Sequence, residues 1–219
     1  ARAGGIVTLG KKETERVKTR FPHMADKVAY IPFGVDTEWF SPQKDIPEEN
    51  LIIAVGVDPD RDWNAFFKAC EGLPAKVIVA GSGRKVKNFN PPSWVEVKMF
   101  SAKEMVDLYA RAAVVAIPLN TASGVNDAMG CSTLYEAMAM GKAIVASRTH
   151  HMESYIVDGE NGRLVPQGEV TSMRTAISEL LENKEKRARL GTAAHAYALS
   201  ELSIEKMTTD LTAFFVRLS

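Results

Sequence analysis

Short, mostly apolar runs recur between helical segments, and this alternation limits the possible folds more than any other property of the chain. Four such runs are LIIAV at 51–55, KVIVA at 76–80, AVVAI at 113–117 and AIV at 143–145. Strands that are apolar on both faces are typical of a parallel sheet buried between helices. The sequence therefore predicts an α/β fold, a Rossmann-like parallel sheet with helices on both faces. Ligands of such sheets bind outside the carboxyl ends of the strands.

The remaining segments complete this pattern. Further strands are predicted at 5–9, 28–31, 94–97 and 162–165. Helices are predicted at 11–21, 63–71, 102–110, 133–140, 170–181, 184–198 and 204–217. The segment PFGVDTEWFSP at 32–42 has a proline at each end and an internal glycine, which is typical of a linker or hinge.

Composition excludes several classes of function. The 27 basic and 27 acidic residues give a formal net charge of zero, which argues against bulk electrostatic binding to nucleic acid or anionic membranes. Two cysteines are too few for a disulfide framework and fit a reducing compartment. No apolar run approaches the roughly 20 residues of a spanning helix. We therefore expect a cytoplasmic protein.

The segment GCSTLYEAMAMGKAIVAS, residues 130–147, carries the strongest functional pattern. A glycine turn opens a helix, so amide groups at Gly130, Cys131, Ser132 and Thr133 are predicted to face an anion such as a diphosphate. Glu136, one turn further on, is placed to bind paired hydroxyls. The alternative interpretation is structural, because Thr133 and Glu136 have the spacing of a capping box.

Two other glycine-containing loops follow predicted strands. In GVDPDRDW, residues 56–63, Gly56 permits close backbone approach and Arg61 offers a guanidinium suited to phosphate. The alternative is a turn in which Asp62 caps a helix and Trp63 enters the core. Gly81 begins a lone GxG that opens no predicted helix, so it favours a close-approach turn over an NAD site.

Taken together, these motifs resemble those of the C-terminal, donor-binding domain of GT-B retaining glycosyltransferases of the GT4 type. The likeness rests on PFGVDTEWFSP, LYEAMAMGKAIVAS and DGENGRLVPQGE, in that order, and covers nearly the whole chain. The resemblance implies that Glu136 binds the donor ribose. It implies that Arg61 and the turn Gly130–Thr133 bind the diphosphate. It places the nucleobase near Lys98, Met99 and Phe100.

The chain also departs from the family pattern. Many members have a sugar-contacting acid eight residues before the ribose acid, where this chain has Ala128. Asn126 or Asp127 is the expected substitute in contacting the sugar. The family's arginine just after the first strand's glycine is Val57 here, which leaves Arg61 as the expected carrier of positive charge. Asp58 and Asp60 keep a magnesium site open as an alternative, although no metal or cofactor is expected.

The resemblance further implies a division of the chain and of its activity. We expect residues 1–31 to be the end of an acceptor-binding domain, 32–42 a linker, 43–199 the nucleotide-sugar-binding domain, and 200–219 a helix that packs back on it. Alone, this donor-binding half should bind a nucleoside-diphosphate sugar with little turnover and no catalytic residue of its own. Its partner is an N-terminal acceptor-binding domain in the same or another chain, and any membrane contact is expected only through that half. The alternatives are half of a nucleotide-sugar epimerase and a non-catalytic interaction domain.

Overall fold

Two parallel sheets organise the computed structural model, which describes residues 4–56, 61–81, 86, 89–121 and 128–218. The strands are β1 Ile6–Thr8, β2 Val28–Tyr30, β3 Leu51–Val55, β4 Lys76–Ala80, β5 Val95–Lys98, β6 Val114–Ile117, β7 Ala143–Ser147 and β8 Arg163–Val165. The α-helices are α1 Lys11–Arg20, α2 Trp63–Cys70, α3 Ala102–Arg111, α4 Cys131–Ala139, α5 Val170–Glu182, α6 Lys184–Glu201 and α7 Ile204–Leu218. Short 3₁₀ helices span Pro22–Lys27 and Met152–Ser154.

The larger sheet has six strands in the order β5-β4-β3-β6-β7-β8. Every neighbouring pair is parallel, with Ile53 opposite both Ile78 of β4 and Val115 of β6. The chain winds outward in one direction from β3 through β4 to β5, then crosses back to β6 and continues to β8. The carboxyl ends of β3 and β6 therefore meet where the order reverses, which is where such sheets bind ligands.

Alternate side chains of the large sheet pack into two separate hydrophobic cores, one on each face. Leu51 and Ile53 face the core formed with α3, α4 and α6, whereas Ile52 and Ala54 face the core formed with α2 and α5. The central strands β3, β6 and β7 are thus buried on both sides, because successive strand side chains point to opposite faces. The predicted Rossmann-like sheet with helices on both faces is confirmed.

The helix α4 is bounded by two glycines. Gly130 precedes it with φ +78°, and no side chain caps the first turn. At the other end Gly141 has φ +65°, its amide donates to Met138, and the amide of Lys142 donates to Ala137. These two bonds form a Schellman motif, which satisfies carbonyls that the helix end leaves without partners. The helix begins two residues earlier than the sequence predicted.

The helix α6 crosses the end of α4 at very close range. A Cβ built on Gly191 would lie 2.1 Å from the carbonyl oxygen of Gly141. One helical turn further, the Nδ1–H of His195 donates to the carbonyl of Ala139 at 2.7 Å. Only glycine at 191 allows this contact, so the position of α4 is fixed by backbone against backbone.

Residues 4–31 form a small βαβ unit in which β1 pairs in parallel with β2. A chain of hydroxyl hydrogen bonds joins this unit to the large domain. Tyr30 donates to the hydroxyl of Tyr155 at 2.7 Å, and Tyr155 donates to the carbonyl of Leu9 at 3.0 Å. The small unit is therefore held against the turn that follows β7.

The chain enters and leaves the large domain at one place. The amide of Val35 donates to the carbonyl of Leu202 at 2.8 Å, and the amide of Ile204 donates back to Val35 at 3.2 Å. Beyond this crossing α7 reaches the small unit, where Phe214 and Leu218 occupy the space beside Gly5. These contacts of α7 are with the small unit and with the 32–42 segment.

One acidic side chain anchors the segment before β3. Glu48 accepts hydrogen bonds from Arg187 of α6 at 2.6 Å and from the Nζ of Lys142 at 3.5 Å. Both cations are about nine-tenths buried, with side-chain exposures of 9% and 10%. Burial lowers the pKa of Lys142, and Glu48 opposes that shift.

Candidate functional site

The candidate site lies at the carboxyl edge of the large sheet, where β3 and β6 end. Arg61 follows β3 and forms an isolated antiparallel bridge with Leu119, which follows β6. The amide of Leu119 in turn donates to the Oγ of Ser147 at the end of β7. Three strand ends are thus joined around one point, in front of the N-terminus of α4.

Arg61 is buried at this point, with 3% of its surface exposed. Its Nη2 donates to the Oγ1 of Thr133 at 3.2 Å, so the guanidinium lies beside the first turn of α4. A Cβ on Gly56 would approach that Nη2 to 2.7 Å. The close approach that Gly56 permits is therefore to the side chain of Arg61, whereas the sequence indicated approach to a ligand.

The proposed capping box is wrong. Thr133 lies inside α4 rather than at its cap, and its hydroxyl donates to the carbonyl of Val55 at 3.2 Å while accepting from Arg61. The carboxylate of Glu136 accepts from Tyr109, not from the helix start. Thr133 instead ties α4 to the end of β3, since one hydroxyl can donate and accept at once.

The N-terminus of α4 has the geometry of an anion site. Intrahelical bonding begins with the amide of Leu134, which donates to Gly130 at 3.0 Å. The amides before it point out of the helix end, and the helix dipole adds positive potential there. Ser132 is exposed and Cys131 is partly buried at this end. A buried guanidinium and outward-pointing amides thus lie at the same end of α4.

Glu136 follows Thr133 by three residues, so the two side chains lie on the same face of α4. Its Oε2 accepts a hydrogen bond of 2.8 Å from the hydroxyl of Tyr109, which is fully buried on α3. Burial raises the pKa of Glu136 above its ordinary value of 4.5, and the bond from Tyr109 partly opposes that shift. The role of Tyr109 in this site was not predicted from the sequence. The available signal was general: the hydroxyl of a buried tyrosine usually needs a hydrogen-bond partner.

Two further strand ends carry the residues predicted near a nucleobase. The amide of Gly81, after β4, donates to the carbonyl of Lys98 at the end of β5, so the two loops are adjacent. The Nζ of Lys98 lies 4.9 Å from the ring centre of Phe100 and 3.6 Å from Glu104. Met99 is 70% exposed, whereas Phe100 packs on the core that contains Tyr109.

Four residues that the sequence singled out lie outside the described ranges. These are the predicted sugar contacts Asn126 and Asp127 and the possible metal ligands Asp58 and Asp60. Ala128 is described, and it lines a small cavity with His150 and His151 between α1 and the turn after β7. His151 is 2% exposed and packs on Tyr155.

Within the ranges that the structure describes, no three His, Cys, Asp or Glu side chains are grouped as a metal site would require. Among the helices so described, none combines the length and the apolar character needed to cross a membrane.

Comparison with known proteins gives one family and a group of curated relatives. The family model described as Glycosyl transferases group 1 matches residues 36–197. A GDP-mannose-dependent alpha-(1-6)-phosphatidylinositol monomannoside mannosyltransferase from Mycolicibacterium smegmatis is 24% identical over 195 residues, covering 78% of this chain and 51% of the relative. A D-inositol 3-phosphate glycosyltransferase from Stackebrandtia nassauensis is 24% identical over 233 residues, covering 90% and 51%. The chain therefore spans about half the length of these relatives.

Solved structures share the fold. Sucrose-phosphate synthase from Thermosynechococcus elongatus superposes with a TM-score of 0.81 at 18% identity, covering 99% of this chain and 59% of that one. Anabaena HepE in complex with UDP-glucose gives a TM-score of 0.79 at 17% identity, covering 98% and 64%. The C-terminal domain of a glycosyl transferase group 1 protein (LpcC) from Francisella tularensis gives 0.63 at 20% identity, covering 78% of this chain and all of that domain.

Proposed function

The chain belongs to the glycosyl transferases group 1 family, and we propose that it binds the nucleoside-diphosphate sugar from which such an enzyme transfers its sugar. The observation that carries the proposal is the convergence at one helix end. Arg61 bonds to Thr133 in the first turn of α4, where the amides at 130–133 begin the helix, and Glu136 stands one turn away on the same helix. This order of groups along one helix suits a ligand that has two phosphates next to a ribose diol.

Each group has a defined role in this proposal. Arg61 and the first amides of α4 bind the diphosphate and stabilise the negative charge that grows on it as the sugar–phosphate bond breaks. Glu136, as a carboxylate, accepts hydrogen bonds from the two ribose hydroxyls. Lys98, Met99 and Phe100 contact the base, and Asn126 or Asp127 contacts the sugar.

Further proposals concern the stereochemistry of transfer, its metal dependence and the parts of the protein that bind donor and acceptor. We propose that transfer retains the configuration at the sugar, as the resemblance to retaining glycosyltransferases implies. We propose that it needs no metal ion, because Arg61 and the dipole of α4 would stabilise the charge of the diphosphate. We propose that residues 43–199 bind the donor. We further propose that an acceptor-binding unit, in the same or another chain, contributes to turnover. Relatives named for GDP-mannose and neighbours named for UDP make GDP and UDP the two nucleotides to compare.

The test measures nucleotide binding to the chain and to Glu136→Gln. We expect UDP or GDP to bind the wild-type chain in titration calorimetry without added metal. Losing a charged hydrogen-bond partner should weaken that binding about 10- to 100-fold, corresponding to about 1.5–3 kcal/mol. Inorganic pyrophosphate, which has no ribose, should bind both proteins equally.

The control variant makes the same chemical change elsewhere. Glu185→Gln replaces an exposed glutamate near the start of α6 and should bind as the wild type does. The proposal fails if neither nucleotide binds the folded wild-type chain. The role of Glu136 fails if Glu136→Gln binds UDP or GDP as tightly as Glu185→Gln.

A further inference from the structure

Tyr109 occupies an unusual place for a core residue, because its one polar atom reaches the candidate site. Its side chain is completely buried, and its hydroxyl donates to the Oε2 of Glu136 at 2.8 Å. The ring is backed by Phe40, with ring centres 6.1 Å apart and the planes nearly perpendicular. The hydroxyl therefore has little freedom to choose another partner.

We propose that Tyr109 is a positioning residue that holds the carboxylate of Glu136 ionised and oriented for the ribose diol. The inference rests on the proposed function and adds a residue to the same site. The hydrogen bond from Tyr109 to Oε2 restricts rotation of the carboxylate and leaves Oε1 to accept hydrogen bonds from a ligand. A carboxylate that keeps its orientation loses less rotamer entropy when the ligand binds.

The charges around Glu136 support this role. Burial favours the neutral acid and raises the pKa of Glu136, while the Tyr109 hydrogen bond favours the carboxylate and lowers it. Among the described residues, Arg61 acts on the hydroxyl of Tyr109, where its positive charge opposes the rise in the Tyr109 pKa that burial causes. Without Tyr109, Glu136 would bind its proton more tightly, and nucleotide binding would be lost at a higher pH as the pH falls.

Phe40 extends the same support into the 32–42 segment. Its ring packs on Tyr109, and in the same segment Phe33 packs on Tyr135, the neighbour of Glu136, with ring centres 5.0 Å apart. The segment that joins the small unit to the large domain thus packs on Tyr109, which bonds to the Glu136 carboxylate, and on the residue that precedes Glu136 in α4. Phe40→Leu should accordingly shift the pKa of Glu136 in the same direction as Tyr109→Phe, by less.

The experiment compares the wild type with Tyr109→Phe, which keeps the ring and removes the hydroxyl. The first readout is the pKa of Glu136, which is measured by a pH titration of its carboxyl ¹³C NMR signal. The spectrum of Glu136→Gln, in which that signal is absent, assigns it. We expect a higher pKa in Tyr109→Phe. The second readout is calorimetry, where UDP or GDP binding should weaken about 3- to 10-fold, as for the loss of one hydrogen bond. Pyrophosphate binding should stay unchanged.

Tyr155→Phe is the matched control, because it keeps the ring that packs on Tyr135 and removes a hydroxyl that bonds to Tyr30 and to the carbonyl of Leu9, not to Glu136. It should leave the pKa of Glu136 and the nucleotide affinity as they are. The inference is overturned if Tyr109→Phe leaves the pKa of Glu136 unchanged, or if it weakens pyrophosphate as much as nucleotide. Since the NMR titration needs no ligand, it decides the role of Tyr109 even if the wild type binds neither UDP nor GDP, a result that would refute the proposed function instead.

Discussion

Replacing Gly191 with alanine should destabilise the protein, although alanine is the better helix former. Gly191 lies on α6 where that helix meets the Schellman turn of α4. An added Cβ would stand 2.1 Å from the carbonyl oxygen of Gly141 and 2.9 Å from its carbonyl carbon. Both are backbone atoms, so no side-chain rotation can relieve the clash.

The size of the effect follows from two opposing contributions. Ordinary contact begins at 3.4 Å, so α6 would have to move away from the turn by roughly 1.3 Å. Overpacking of this kind destabilises by up to about 3 kcal/mol, and helix propensity returns about 1 kcal/mol. The expected net loss is about 2 kcal/mol. For a protein of this size it lowers Tm by about 4–8 °C.

The assay is thermal and urea unfolding of the wild type, Gly191→Ala and Thr192→Ala. Thr192 is the exposed next residue of the same helix, so its replacement tests propensity without the clash. It should be neutral or stabilising by a few tenths of a kcal/mol. If Gly191→Ala is as stable as Thr192→Ala, the backbone contact between α6 and α4 is not the constraint that the geometry indicates.

Two more predictions address charged side chains. Glu48→Ala should lower the free energy of unfolding in urea by about 2–3 kcal/mol, because Arg187 and Lys142 lose their shared carboxylate. This value is smaller than for a fully buried ion pair, since the Glu48 side chain is 31% exposed. A loss of less than about 0.5 kcal/mol would contradict the prediction. Arg61→Gln should weaken a nucleoside diphosphate about tenfold or more and the free nucleoside about twofold or less, and equal losses in calorimetry would remove Arg61 from phosphate binding.

The sequence predicted the layers of the fold because the signals there are local and periodic. The runs at 51–55 and 113–117 are apolar at every position, which indicates a strand buried on both faces. The structure confirms the parallel sheet and the helices on both sides of it. Asp62 caps α2 through its bond to the amide of Ala65, and Trp63 enters the core, as the alternative interpretation of that loop predicted.

The contacts that join distant segments could not be read in the same way. Nothing local links Tyr109 to Glu136, because the hydrogen bond depends on how α3 and α4 pack on the sheet. The capping-box spacing of Thr133 and Glu136 was misleading, since Gly130 with its positive φ starts the helix two residues earlier. Likewise, the contact between Arg61 and Gly56 depends on the folded chain. The sequence alone could not show that the atoms close to Gly56 are those of the Arg61 side chain.

The paired hydrogen bonds between Val35 and residues 202 and 204 have a consequence for protein engineering. Because the two ends of the large domain are neighbours, a short peptide would suffice to close it into a ring, and new termini could then be opened in a surface loop. A Cβ built on Gly34 would lie 2.6 Å from the Cα of Ile204 in this crossing. A bulkier residue at 34 would therefore push the two chain segments apart at the point where a linker would have to join them.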